Sequence, residues 1–414
     1  MSSATALRLF LPCAAGVEAF LQDEARTLLP GANVQAQRGG VSLSTSAEGL
    51  MALNLGSRLA QRVLIEVAGG RYRDEPDLYA LARSVDWTAW ITARHTLRVD
   101  TTAQRSPLRS LNFAALRIKD AVCDQLREHG GERPDVDTRS PDLQLMLHLG
   151  ETQALLYVDA SGESLFKRGW REDKGDAPLK ETLAAAMLAA AGWRGTPDTG
   201  GALHDPCCGS GTIAIEAAQI ACGIAPGLKR RFAFERLLPF ATPAMRGAMQ
   251  RLKSQAQLRV HAPRVPIFAS DVSFRMIDFA RRNAQRAGVE AAIDFHGGDA
   301  LERPPPVLPP GMPGTLMINP PYGERIDVAG KAARSSAEDR DTPHDFFARL
   351  ASHWKRSYTQ HPAGWTAWVL SPDMKLPGTM RLKESRRVPM WNGPIECRLF
   401  RFDLVAGSAR PPKG

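Results

Sequence analysis

The stretch His204-Asp205-Pro206-Cys207-Cys208-Gly209-Ser210-Gly211-Thr212 decides the fold of this chain. It follows the apolar pair Ala202-Leu203 and precedes an apolar helical run, Ile213–Ala221. Strand, glycine-rich turn and helix form the unit from which open α/β sheets are wound. Gly209 and Gly211 permit a tight turn and a close backbone approach to a ligand. With Ala214 they meet the G-x-G-x-x-A dinucleotide spacing, which alone is a weak signal. Two features point away from a dinucleotide. Asp205 stands four residues before the first glycine, where a carboxylate suits an ammonium group better than a pyrophosphate. The acidic residue expected about 20 positions further on also falls elsewhere.

That acidic residue is Asp271, which ends the apolar strand of residues 266–270 and can take both hydroxyls of a ribose. Asp299, in Gly297-Gly298-Asp299-Ala300, is placed to accept from an adenine amino group. A single Asp is most often a cap or turn residue. Three at successive strand ends are harder to assign to turns, and Asn319-Pro320-Pro321-Tyr322 follows them. That tetrapeptide comes after Leu316-Met317-Ile318, an apolar run that reads as a buried strand. Two prolines cannot continue a strand ladder, so the chain leaves the sheet there. Asn319 and Tyr322 then sit at the C-terminal edge of the sheet, where such folds bind ligands. An amide oxygen, the Pro320 carbonyl and an aromatic face suit a planar ring bearing an exocyclic amino group. Alone, the tetrapeptide reads equally well as a strand-ending turn.

The rest of the chain bounds the class. Its 414 residues predict about two to four domains. With 43% hydrophobic residues, sizeable cores can form, yet no apolar run reaches the ~18–20 residues of a membrane span. The segment Met1–Phe10 lacks a basic region followed by a long apolar stretch, so no signal peptide is expected. Six scattered Cys without paired metal spacing favour reduced thiols in the cytoplasm, and no metal. A net charge of +9 favours polyanionic partners. The densest basic runs are Leu228-Lys229-Arg230-Arg231 and Arg381–Arg387, with Arg281-Arg282 beside them. Such runs are phosphate contacts or solvated faces.

Periodicity predicts strands at 7–11, 40–43, 62–67, 96–101, 144–149 and 152–159. It predicts helices at 16–29, 47–55, 77–84 and 113–129. From about Ser164 to Leu404 the pattern becomes β/α alternation. Residues 303–314 hold six prolines and read as a loop. Residues 328–342 are small and charged and read as mobile, and the tail 408–414 as disordered.

Together these residues resemble a class I S-adenosylmethionine-dependent methyltransferase acting on an exocyclic amino nitrogen. The resemblance rests first on Asp205-x-x-x-Gly209-x-Gly211-Thr212 with Asn319–Tyr322. Longer strings sharpen it: Lys167-Arg168-Gly169-Trp170-Arg171, residues 177–184, residues 205–218, Ala225-Pro226-Gly227-Leu228, Asn319–Arg325 and Asn392–Cys397. These are similar to the bacterial large-subunit ribosomal RNA guanine-N2 methyltransferases. The resemblance implies an α/β fold, with a C-terminal Rossmann-like class I domain preceded by α+β ferredoxin-like and THUMP domains. It implies boundaries at 1–64, 65–163 and 164–407, with 408–414 as the tail. It implies S-adenosylmethionine held by Asp205, Cys207, Gly209, Gly211, Thr212, Asp271, Asp299 and Asn319. It also implies catalysis by Asn319, Pro320 and Tyr322, and 23S ribosomal RNA or a large-subunit precursor as partner.

In that reading Asn319 and the Pro320 carbonyl accept the two N–H groups of the target amine, and Tyr322 stacks on an unpaired or flipped base. Glu324 and Arg325 extend this loop and read equally as substrate contacts or as a solvated pair. Lys229, Arg230 and Arg231 are the RNA-binding candidates. Position 207 is Cys where the family commonly has Met, which makes Cys207 a packing residue of the cofactor turn. The long 219–264 interval is shared with the family, whereas the second methyltransferase module fused to some relatives is expected to be absent. Two rivals stay open: an adenine-N6 methyltransferase, on DNA or RNA, and a non-catalytic RNA-binding assembly factor. Nucleophilic attack by Cys207 or Cys208 on a pyrimidine ring requires an activated thiolate at the substrate. The sequence does not reveal the oligomeric state.

Overall fold

Alternating apolar residues build the first sheet, and continuous apolar strands build the second. The computed structural model describes residues 6–175, 178–320 and 343–405. The chain divides into two compact units: Met1–Cys13, Leu21–Leu165 and Gly227–Gln255 form the first, and Ala14–Phe20, Phe166–Pro226 and Ala256–Gly414 the second.

The first unit opens with β1 (Leu7–Pro12), α1 (Glu18–Leu28), β2 (Gln35–Gln37), β3 (Gly40–Thr45), α2 (Ala47–Gly56) and β4 (Leu64–Arg71). It continues with α3 (Glu75–Arg83), β5 (Thr96–Ala103), α4 (Leu111–Gly130), β6 (Asp135–Val136), β7 (Leu143–Leu149) and β8 (Gln153–Asp159). All eight strands share one sheet, in the order β2-β3-β1-β4-β8-β7-β5-β6. β4 pairs antiparallel with β8, from Leu64 opposite Asp159 to Arg71 opposite Gln153, so one sheet runs through both the expected ferredoxin-like and THUMP segments. α3 begins two residues before the predicted 77, at Glu75, because the Asp74 side chain accepts from the Asp77 amide at 3.1 Å. Trp87 is fully buried and donates its indole N–H to the Ala82 carbonyl at 2.8 Å, which makes it a core residue. The 227–255 excursion carries most of α7 (Pro243–Leu258), a helix that periodicity did not reveal.

The second unit contains α5 (Glu181–Ala190), β9 (Ala202–Asp205), α6 (Thr212–Ala221), β10 (Ile267–Asp271), α8 (Phe274–Ala287), β11 (Asp294–Gly297) and β12 (Gly314–Ile318). It ends with α9 (Pro343–Ser357), β13 (Trp365–Ser371), α10 (Leu376–Met380), β14 (Arg386–Asn392) and β15 (Ile395–Leu404). The sheet order is β11-β10-β9-β12-β13-β15-β14. β9 lies between β10 and β12 and pairs parallel with both, so Asp205, Asp271 and Asn319 emerge at one edge. This is the switch point at which open α/β sheets bind ligands. The predicted β/α alternation to Leu404 stops at α10; β14 and β15 form an antiparallel hairpin. Residues 303–313 form no regular element, as their prolines require. Behind the sheet, Trp354, Tyr358, Phe400 and Phe402 are almost wholly buried, each such large side chain contributing ~1.5–3 kcal/mol of transfer free energy. Among the described residues, no helix is long and apolar enough to cross a membrane.

Candidate active site

The turn after β9 is stapled to β10. The Cys208 amide donates to the Ser270 carbonyl at 2.9 Å, and the Gly209 amide donates to Asp271 Oδ2, also at 2.9 Å. Asp271 Oδ1 accepts from the Ser273 amide at 2.9 Å. Gly209 has φ +52°, and a Cβ there would meet nothing within 4 Å, so the turn is open on that side. Gly211 has φ +87° and caps α6; a Cβ there would come 3.0 Å from the Ala280 Cβ, so this glycine serves helix packing.

A cavity of about 340 Å³ opens over this turn. Asp205, Cys207, Gly209, Thr212, Asp271 and Asn319 line it, and so does Pro320. Asp205 is 1% exposed, and among the described residues it accepts one long contact, from the Cys207 amide at 3.3 Å. Burial pushes its carboxyl well above the ordinary carboxylate range, and the nearby Asp271 adds to this. Burial raises Asp271 too, against two amides that favour its charge. Asn319 also lines the cavity, and its Oδ1 is buried without a hydrogen-bond partner among the described residues. Unsatisfied buried polar atoms are costly and rare in a folded chain. A ligand with a cation for Asp205, hydroxyls for Asp271 and an N–H for Asn319 would satisfy them together.

Other sequence-predicted residues fall elsewhere. Asp299 follows β11 but does not line the cavity; its Oδ1 accepts from the Leu301 amide at 2.9 Å. Gly211 does not line it either. Tyr322, Glu324 and Arg325 lie outside the described residues, as do the 328–342 segment and the tail. In the first unit Lys229 and Arg231 are exposed, but Arg230 is 9% exposed and inward-facing. It donates to the Ser164 carbonyl at 3.0 Å and the Glu163 carbonyl at 2.6 Å, which makes it an internal brace. Burial, then neighbouring carboxylates, push the Cys207 and Cys208 thiols well up. That environment disfavours a thiolate at either position and argues against the pyrimidine-attack reading.

The cavity also has walls that site reasoning missed. Asn392 and Ile395, at the tip of the β14–β15 hairpin, line it, and so do Pro178 and Leu179 before α5. They carry no charge and no motif chemistry, so only the longer family strings flagged their neighbourhoods.

A mostly parallel sheet whose central strand ends carry carboxylates around a glycine turn, flanked by Asn-Pro, defines a class I methyltransferase domain. Comparison with known proteins agrees. Residues 168–401 match the RMKL-like methyltransferase domain, 72–159 the THUMP domain, and 8–64 the RlmL ferredoxin-like domain. The chain belongs to the RMKL-like methyltransferase family. It is 36% identical to the ribosomal RNA large subunit methyltransferase K/L of Shewanella amazonensis, over 95% of this chain and 53% of that protein. It is 37% identical to the same-named protein of Syntrophotalea carbinolica, over 96% of this chain and 54% of that one. The chain thus spans about half the length of the curated relatives it matches. Among solved structures, SMU.472 complexed with SAH is 26% identical with a TM-score of 0.81, covering 98% of this chain and 99% of that one.

Proposed function

We propose that this chain is an S-adenosylmethionine-dependent methyltransferase acting on the exocyclic N2 of a guanine in 23S ribosomal RNA. Its partner is that RNA or a large-subunit precursor, met in the cytoplasm. The observation that carries the reading is the buried Asn319 Oδ1, unpartnered among the described residues, on a residue that lines the same cavity as Asp205 and Asp271. Support also comes from the relatives named as ribosomal RNA methyltransferases and from the SAH complex of a structural neighbour. The domain division we adopt is 1–64, 65–163 and 164–407.

When bound, S-adenosylmethionine supplies an electrophilic methyl group on a sulfonium. Asp205 would hold its ammonium group, Asp271 its ribose hydroxyls and Asp299 its adenine amino group. Asn319 Oδ1 and the Pro320 carbonyl then accept the two N–H groups of the target amine. Those bonds localise the nitrogen lone pair, which otherwise conjugates with the ring, and orient it for in-line attack. Tyr322 stacks on the base, and Glu324 and Arg325 contact its neighbours. Positioning of this kind is worth ~7–11 kcal/mol in well-oriented systems.

The test is methyl transfer from labelled cofactor to deproteinised ribosomal RNA and to DNA, read by nucleoside mass spectrometry. N2-methylguanosine in the RNA is expected; N6-methyladenine in DNA alone would overturn the reading. Asn319→Ala should lower turnover by ~100-fold or more while leaving cofactor affinity nearly intact. A matching loss of cofactor affinity would remove Asn319 from the target-amine role.

A further inference from the structure

A short strap contributes to the cavity from outside the glycine turn. Glu172–Gly175 forms no regular element, and Gly175 lines the cavity together with Met276 of α8. Buried side chains stand on either side of the strap in sequence, Trp170 and Leu179, at 3% and 5% exposure. The strap itself has none: Glu172 and Lys174 are exposed, and Asp173 and Gly175 are half-buried. Apolar burial therefore does little to keep it in place.

Its ties run to α8. Asp173 Oδ1 accepts from Arg282 Nη2 at 2.8 Å, and Oδ2 accepts from Arg282 Nε at 3.2 Å and Arg286 Nη2 at 2.5 Å. Arg282 and Arg286 are four residues apart, so both guanidiniums stand on one helix face. Asn283, fully buried, accepts from the Glu172 and Asp173 amides, each at 3.3 Å. Its Nδ2 donates to the Asp173 carbonyl at 2.8 Å and to the Ser210 carbonyl at 3.0 Å. One amide thus joins the strap to the glycine turn. The two arginines are also held without the strap. Arg286 Nε donates to the Trp170 carbonyl at 2.9 Å, and Arg282 pairs with Asp278 at 2.5 Å.

These ties answer to different conditions. The Asn283 bonds lie in the interior, beyond the reach of salt. The ion pairs are partly open, with Asp173 at 22% and Arg282 at 42% side-chain exposure. Pairs of that exposure are weak and are screened by salt. Hydrogen bonds from Arg282 and Arg286 hold the Asp173 carboxyl down to about 2, so it stays charged around neutral pH. A segment without an apolar anchor belongs to the least stable parts of a fold, from which ligand gates are drawn. Asp205, in the same cavity, is 1% exposed, so a ligand that meets it has to pass the lining.

We propose that Glu172–Gly175 is a strap that gates the cavity, latched shut by Asp173 on Arg282 and Arg286. The latch opens to let the cofactor in and its demethylated product out. Arg282 and Arg286 keep their places on α8 while it is open, ready to receive the carboxylate again. Asp173 acts through the strap and not on the ligand, which makes it a positioning residue. The inference rests on the S-adenosylmethionine reading and adds to it how the site is entered.

Surface plasmon resonance of S-adenosylhomocysteine over the immobilised full chain tests it, because a latch and a wall differ in their kinetics. Loosening a latch exposes the empty and the occupied site alike, so kon and koff rise together and Kd hardly moves. Asp173→Asn should raise both rates by ~3–10-fold, the size of one or two partly exposed ion pairs, with Kd within about twofold of wild type. Raising NaCl from ~0.05 to ~0.5 M should speed both rates in wild type and do much less in Asp173→Asn. Arg282→Gln, which leaves Arg286 in place, should act in the same direction more weakly, and it serves if Asp173→Asn fails to fold. A change in one rate alone makes the strap a wall that touches the ligand, and it overturns the latch. So do unchanged rates, or a salt response of equal size in Asp173→Asn. A wild-type chain that does not bind S-adenosylhomocysteine overturns the cofactor reading itself, and the latch with it.

Discussion

Asp159 in the first unit and Asp205 in the second are equally sealed, at 0% and 1% exposure. Both end a strand, and burial raises both carboxyls. Their partners differ. Asp159 faces the Arg62 guanidinium and accepts from the Ser161 amide at 2.8 Å and the Gly162 amide at 3.2 Å. Glu24, in the same unit, accepts from the Ser57 hydroxyl at 2.6 Å and from the Arg58 and Leu59 amides at 2.9 and 3.3 Å. Asp205 has one long amide contact and a second carboxylate nearby. A buried carboxylate whose bonds are made within the chain is architecture. One left short of partners beside a cavity awaits a partner from outside.

The largest expected effect tests the first half of that contrast. Asp159→Asn keeps the shape but leaves the Arg62 charge without its counterion, which should cost ~3–5 kcal/mol in urea unfolding. Asp205→Asn should cost far less stability, because it removes a charge that burial penalises. Its cost should fall on cofactor affinity, by ~10–100-fold. If Asp205→Asn unfolds as readily as Asp159→Asn, the two carboxylates are alike and the contrast breaks.

A second test uses protons. The folded, ligand-free chain raises the Asp205 pKa, so it keeps a proton that the unfolded chain has lost. Ionising Asp205 therefore costs folded stability as pH rises from about 4 through the raised value. A cationic ligand removes that cost by pairing with the carboxylate. Cofactor affinity should thus climb with pH across this window and level off above it, with proton uptake by buffer on binding. Calorimetry in two buffers of different ionisation enthalpy reads this directly. Affinity flat across the window, or a slope that survives in Asp205→Asn, would assign the proton to another group.

The same contrast explains what could be read from the chain in advance. The residues 202–221 and 314–320 were legible because strand, turn and proline stop are local signals, and Asp205, Asp271 and Asn319 meet in one cavity as those signals require. Asp299 was legible as a carboxylate after a strand, but not that it lies outside the lining of the cavity or that its Oδ1 accepts from the Leu301 amide. Arg230 read as a phosphate ligand because a basic run looks the same from either side; only the fold shows that its donors meet Glu163 and Ser164 carbonyls. α7 hid in an interval without strong apolar periodicity. Asn392 and Ile395 reach the cavity by long-range pairing of β14 with β15 and β13, which no local window contains.

The smallest expected effects extend the contrast to cations. Lys229 and Arg231 are exposed, and Arg230 between them donates inward. If the run meets RNA phosphates, Lys229→Ala and Arg231→Ala should each weaken RNA binding a few-fold. Each should also reduce the slope of log affinity against log salt by about 0.7–0.9, one released counterion per contact. Arg230→Ala should leave that slope unchanged and lower the melting temperature instead, because it empties two carbonyls inside the first unit. Filter binding across a salt series separates the three. Equal slopes for all four proteins would make the run a solvated face, whereas a slope change in Arg230→Ala alone would mean that the brace opens when RNA binds.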